Sequence, residues 1–184
     1  TMSGVPPQIM ITGVKDGPLS GGVPKAIEFY ILEDIADLSV YGFGSANNAG
    51  GSDGEEFTFP AIAATAGTYI QVASETDMFM SFFGFNPDYT SSAANINGDD
   101  SMELFCDGDV IDVYGVVGTD GTGEDWEYLD GWAYRNDASL CPSPTFDIME
   151  WTLSGINALD GETSNATAAT PFPIETYAGT GCTT

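Results

Sequence analysis

Met102-Glu103-Leu104-Phe105-Cys106-Asp107-Gly108-Asp109-Val110-Ile111-Asp112-Val113-Tyr114 is the stretch that decides the fold. Two runs rich in aliphatic and aromatic residues flank an Asp-Gly pair, which can take the positive φ angles that a tight β-hairpin turn demands. Strand alternation puts Val110, Asp112 and Tyr114 on one face of the second run and Ile111 and Val113 on the other. Asn97-Gly98, just upstream, is a second turn signal.

Outward from the hairpin the same pattern repeats. Short apolar runs at 9–14, 26–32, 69–73, 102–105 and 110–116 are separated by clusters of Gly, Asp, Asn and Pro. Only 76–83 suggests a helix, of one or two turns, with Ser74 as its N-cap. Short strands, little helix, 23 glycines and 10 prolines fit an all-β antiparallel sandwich or barrel. The 184 residues amount to one domain. Residues 137–184 form its least regular segment, which Trp151, Phe172 and Tyr177 should pack back onto the rest.

Charge narrows the function. Against 28 acidic side chains stand three basic ones, Lys15, Lys25 and Arg135, with no histidine and a formal charge of -25. Nucleic acid is not an expected partner, because its phosphates are gripped by surfaces rich in Lys and Arg. Membrane insertion is not expected either, since no apolar run approaches the ~18 residues of a spanning helix. Without histidine, Ser-His-Asp and Cys-His catalysis drop out, and any metal falls to oxygen ligands, which favours Ca²⁺.

Cys106, Cys141 and Cys182 lack zinc-site spacing. Cys141 lies in a Pro-rich loop and Cys182 in a Gly-rich tail, so a disulfide between them is the expected pairing, against the alternative of three free thiols in a reducing compartment. The sequon Asn165-Ala166-Thr167 points, like a disulfide, towards secretion, with Asn165 as a glycosylation candidate. Thr1-Met2-Ser3 carries no leader character, and cleavage of a secretion signal is the preferred reading.

Several segments together resemble the lamin-tail domain as carried by secreted microbial proteins. Lys25-Ala26-Ile27-Glu28-Phe29-Tyr30 is similar to its early strand, and Asp37-Leu38-Ser39-Val40-Tyr41 to its D-L-S-G-Y turn. Asn97-Gly98-Asp99-Asp100-Ser101-Met102-Glu103-Leu104 with Val110-Ile111-Asp112-Val113-Tyr114-Gly115 resembles its central hairpin, and Gly131-Trp132-Ala133-Tyr134-Arg135 the segment that follows. The matches run in the family's order. The resemblance implies an immunoglobulin-like β-sandwich, exported and non-catalytic, and supplies no catalytic residues. Val40 departs from the family's glycine, and the cysteines are outside its pattern.

Asp112, among apolar neighbours, needs a counter-charge, and Arg135 or Lys25 is the natural partner; an Asp112–Arg135 ion pair is expected. Glu28 and Glu103 are the pair to examine for acid–base chemistry, but both are expected to face solvent between buried neighbours. Asp99, Asp100 and Glu103, and separately Asp120, Glu124 and Asp125, are candidate Ca²⁺ ligands. Asp107-Gly108-Asp109 and Ser52-Asp53-Gly54-Glu55-Glu56 are weaker versions. Trp126, Tyr128, Trp132, Tyr134 and Trp151 are expected to fill the core rather than form a sugar platform.

The favoured reading is a non-enzymatic secreted structural or adhesive module of an extracellular or cell-surface assembly. The alternative is an accessory domain of a larger secreted nuclease or hydrolase. Self-association is expected, controlled by cations, through an extended arm at Val5-Pro6-Pro7-Gln8-Ile9-Met10-Ile11 and an unpaired Cys106.

Overall fold

A computed structural model describes residues 7–139, 141–179 and 182, and among these the chain is a three-layered β protein. In chain order the strands are β1 (Ile9–Lys15), β2 (Ala26–Ile31), β3 (Tyr41–Ala46), β4 (Phe57–Thr58) and β5 (Tyr69–Ala73). After helix α1 (Asp77–Phe83) come β6 (Tyr89–Thr90), β7 (Ser101–Cys106), β8 (Asp109–Tyr114), β9 (Trp132–Arg135) and β10 (Trp151–Leu153). One sheet has the order β10-β9-β1-β2-β5-β6 and the other β4-β3-β7-β8. Pairing is antiparallel except between β5 and β6.

The expected hairpin is β7–β8, closed by Asp107 at φ 50° and Gly108 at φ 85°. Its alternation is broken once. The register shifts between Leu104 and Phe105, which pair with Asp112 and Val110, so Ile111 has no partner on β7. This bulge turns Ile111 into the core beside Tyr114, where strict alternation would place it with Val113 on the outside.

Alternation elsewhere sorts the layers. Ile27, Phe29 and Ile31 of β2 meet Phe43, Met102 and Leu104 between the sheets, forming the main core. The opposite face of the six-stranded sheet is also covered. There Met10, Trp132 and Tyr134 pack against Phe82 of α1 and against Leu159, Phe172 and Tyr177 of the C-terminal segment. That segment is less irregular than its composition suggests, because it supplies edge strand β10.

Helix α1 begins at Asp77, and Ser74 is not its cap. The Ser74 hydroxyl is buried with no hydrogen-bond partner among the described residues. Glu75 takes the role instead, its carboxylate accepting from the amides of Met78 at 2.7 Å and Phe79 at 3.2 Å, the donors a helix start leaves orphaned. Nor is the N-terminal arm free from Ile9 onward: Ile9, Met10 and Ile11 are fully buried in β1, which runs between β2 and β9. Val5 and Pro6 lie outside the described residues. Among the described residues no helix is long and apolar enough to cross a membrane.

Candidate functional site

All three basic side chains are inside: Lys15 is 0%, Lys25 5% and Arg135 2% exposed. Each anchors its own polar cluster.

Arg135, on β9, reaches across to β8, where its Nη2 lies 2.8 Å from Asp112 Oδ1. The Asp112 carboxylate also accepts from the backbone amides of Ser143 at 3.0 Å and Ile11 at 2.8 Å. β9 pairs with β1 only along Gly13–Lys15, and the Ile11 amide beyond that pairing is satisfied from the other sheet. Burial pushes the Asp112 carboxyl up, and Arg135 and the two amides pull against it. Arg135 Nη1 is 3.2 Å from Glu150, and the guanidinium lies 4.6 Å from the Trp151 ring, a cation–π contact beside an Nε that has no hydrogen bond among the described residues.

Lys25 takes a different partner from those the sequence suggested. Its Nζ donates to Asp16 Oδ1 at 2.8 Å, the Ile96 carbonyl at 2.6 Å and Asn97 Oδ1 at 2.9 Å. Lys15, at the end of β1, donates to the Pro24 carbonyl at 3.1 Å and sits 4.2 Å over the Phe82 ring. Burial lowers its pKa to about 7.

Glu28 corrects the expectation of a solvent-facing carboxylate. It is fully buried beneath the C-terminal segment, with Oε1 accepting from Thr12 (2.8 Å) and Tyr134 (2.6 Å) and Oε2 from Gln71 (2.7 Å) and the Glu175 amide (2.7 Å). The Tyr134 hydroxyl in turn accepts from the amides of Thr176 and Tyr177, both at 3.0 Å. Burial pushes the Glu28 carboxyl up against these bonds. Glu103 is likewise buried, at 6% exposed. Met102 and Leu104 point into the main core, so Glu103 lies on the outer face of the four-stranded sheet; Glu28 lies on the outer face of the six-stranded one. With the core between them, the two carboxylates cannot act on one substrate.

The acidic loops do not converge. Asp100 is fully buried and spends its oxygens on the amides of Asn48 (2.8 Å) and Asn97 (2.9 Å). Asp99 turns the other way, accepting from Thr122 Oγ1 at 3.1 Å, while Asp120 accepts from the Thr122 amide at 2.9 Å. Glu124 and Asp125 are exposed. Among the described residues no three acidic or cysteine side chains form a group able to hold a metal ion. The Ca²⁺ ligand sets expected from these residues are therefore not assembled, because neighbours in a turn or strand aim their side chains apart.

Cys141 and Cys182 are joined by a disulfide, pinning the C-terminal segment across a separation of 41 residues. Cys106 is free and half-buried, and burial together with the Asp107 carboxylate pushes its thiol up, away from the reactive thiolate. Asn165 is half-buried and clamped, its Oδ1 accepting from the Phe172 amide at 2.8 Å and its Nδ2 donating to the Phe172 carbonyl at 3.0 Å. A glycan on Nδ2 would replace the hydrogen this two-way clamp uses.

The five aromatics singled out, Trp126, Tyr128, Trp132, Tyr134 and Trp151, are all at most 6% exposed and are core residues. A cavity of about 270 Å³ beside β8, lined by Val113, Val116, Val117, Pro144 and Phe146 among others, carries no ionisable side chain. Sequence reasoning missed Asp16, Gln71, Thr12 and Asn97 as partners of the buried charges; the scarcity of cations signalled that each would be paired, but not with what. Comparison with protein-family models, with curated proteins and with solved structures found no match to this chain.

Proposed function

We propose that the chain is a non-enzymatic, secreted structural or adhesive module of lamin-tail type that associates with copies of itself or with other extracellular proteins. The observation that carries this reading is where its charges are. Every basic side chain, and each carboxylate that could serve acid–base chemistry, is buried and hydrogen-bonded within the fold or walled off on an opposite face. The solvent-facing ionisable side chains among the described residues are acidic, a surface that repels anionic substrates and its own copies until salt screens it over a Debye length of about 8 Å. The Cys141–Cys182 disulfide suits an oxidising compartment.

Sedimentation velocity across a series of NaCl and CaCl₂ concentrations tests this. Association that strengthens as salt or Ca²⁺ rises, and weakens in chelator at low salt, is the expected result. A monomer under every condition would overturn the assembly reading and favour the accessory-domain alternative.

A further inference from the structure

Lys25, Asp16 and Asn97 come from three separate stretches of chain. Lys25 immediately precedes β2 and Asp16 immediately follows β1, both in the six-stranded sheet, whereas Asn97 lies in the loop before β7 of the four-stranded sheet. The Lys25 and Asp16 side chains are 7% and 3% exposed, and the lysine Nζ touches the aspartate carboxylate and the asparagine carbonyl oxygen at once. With Asn97 Oδ1 at 2.9 Å, the carboxamide carbon is one C=O bond, about 1.2 Å, further on.

We propose that Lys25 and Asn97 form an intramolecular cross-linking site, in which the lysine amine displaces ammonia from the asparagine carboxamide with Asp16 as the proton carrier.

The step balances without any added reagent. Asp16 takes a proton from the Lys25 ammonium, which frees the Nζ lone pair. Nζ attacks Asn97 Cγ, the Nζ–Cγ bond forms, and the Cγ–Nδ2 bond breaks as Asp16 passes its proton to the departing nitrogen; the second proton that Nζ sheds on becoming an amide follows the same way, so the nitrogen leaves as ammonium. An ammonium and a carboxamide become a secondary amide and an ammonium ion, with no oxidation or reduction. Proton transfer from Lys25 to Asp16 converts a buried ion pair into two neutral groups, which lowers the cost of keeping them out of water. Burial already pushes the Asp16 carboxyl up, towards the protonated form this step requires.

The surroundings hold the reactants in place and suit the product. Asn97 is fixed by its amide's bond to Asp100 Oδ2 at 2.9 Å. The next residue, Gly98, has φ 83° and is anchored through its carbonyl by the Tyr128 amide at 2.7 Å. A Cβ at Gly98 would collide with the Leu129 backbone, so this loop approaches as closely as glycine permits. Fixed approach of this kind is what makes an intramolecular attack fast. The product amide keeps one N–H, for which the Ile96 carbonyl, 2.6 Å from Nζ, is the waiting acceptor. Asn97 itself is exposed, so ammonia has a route to solvent. The bond would tie the two sheets together across a separation of 72 residues.

The experiment is the intact mass of the reduced, denatured chain, followed by peptide mapping. The expected result is a chain lighter by one ammonia, and a branched peptide containing both Lys25 and Asn97. A chain at full sequence mass, with Lys25 and Asn97 in separate unmodified peptides, overturns the proposal. Cyclisation at Asn97-Gly98 to a succinimide also expels ammonia, so Lys25→Arg is measured alongside: return to full mass is expected, and ammonia loss that persists in Lys25→Arg overturns the proposal. Asp16→Asn should also stay at full mass while keeping the β-sheet circular dichroism of the parent, and cross-linking that survives there removes Asp16 from its role.

Discussion

On its inner face the six-stranded sheet meets its partner sheet through hydrocarbon and aromatic side chains such as Ile27, Phe29, Phe43 and Leu104. On its outer face it is covered by α1 and the C-terminal segment, arranged around a buried carboxylate, a buried amine and a disulfide. The inner closure is largely non-directional and shared among many side chains, with the Asp112 carboxylate, bonded to Arg135 and the Ile11 amide, as its directional contact. The outer closure has a smaller apolar cluster and adds to it a handful of directional bonds, each of which fixes a particular stretch of chain. The difference implies that the outer layer should open locally while the sandwich beneath it persists.

The largest effect should come from a substitution that strikes the sandwich itself. Asp112→Ala leaves the Arg135 guanidinium buried with only its Glu150 side paired, and should cost about 3–5 kcal/mol in urea unfolding, lost cooperatively across both sheets. If only the C-terminal segment responded, the division into inner and outer closures would fail.

Reducing the Cys141–Cys182 disulfide is next. Releasing a loop with a separation of 41 residues is worth between about 3 and 4.7 kcal/mol on the chain-entropy estimate. Amide exchange after reduction should quicken first at Glu175, Thr176 and Tyr177, whose N–H groups bond to Glu28 and Tyr134, with β7 and β8 still protected.

Lys15 makes the outer layer sensitive to pH. Its pKa falls from 10.5 to about 7 in the folded state, so between these values the unfolded chain binds the proton more tightly. Stability therefore rises with pH across that window, and below about 7 the cost of burying the ammonium is borne in full. Lys15→Met should stabilise the protein at pH 6 and lose about 2.7 kcal/mol of that advantage by pH 9, measured by thermal unfolding at both pH values.

The smallest effect sharpens the comparison most. Glu28→Gln puts an amide nitrogen where Glu28 accepts from donors, losing hydrogen bonds worth about 1 kcal/mol each, but it also removes a buried charge. The net change should be near 1 kcal/mol. Its signature is faster amide exchange confined to 175–177.

Legibility in the sequence follows the same division. Strands β1, β2, β5, β7 and β8 could be read because their apolar residues answer to a local period of two. β3 could not: Tyr41 and Phe43 point inward, but Gly42 and Gly44 between them mimic a turn. The structure needs those glycines, since a Cβ at Gly42 would meet the carbonyl of Phe57 and the Glu55 carboxylate folded over it. Alternation correctly set Glu28 opposite Ile27 and Phe29, yet nothing nearby in the chain revealed that Glu175, 147 residues away, closes over it. The Asp112–Arg135 pair was legible for the opposite reason: a buried acid in a chain with three cations has few possible partners.

The burial of Lys15, Lys25 and Arg135 has a further consequence, for resistance to proteolysis. Trypsin-like proteases must draw a Lys or Arg side chain into their specificity pocket before they can cut. These are the only Lys and Arg residues in the chain, and each is at most 5% exposed. Two of them end or belong to central strands, and the third immediately precedes one, so presenting any of them would require the sheet to come apart. The folded chain thus offers such enzymes no purchase, and its lifetime among them is set by how often the whole sandwich opens.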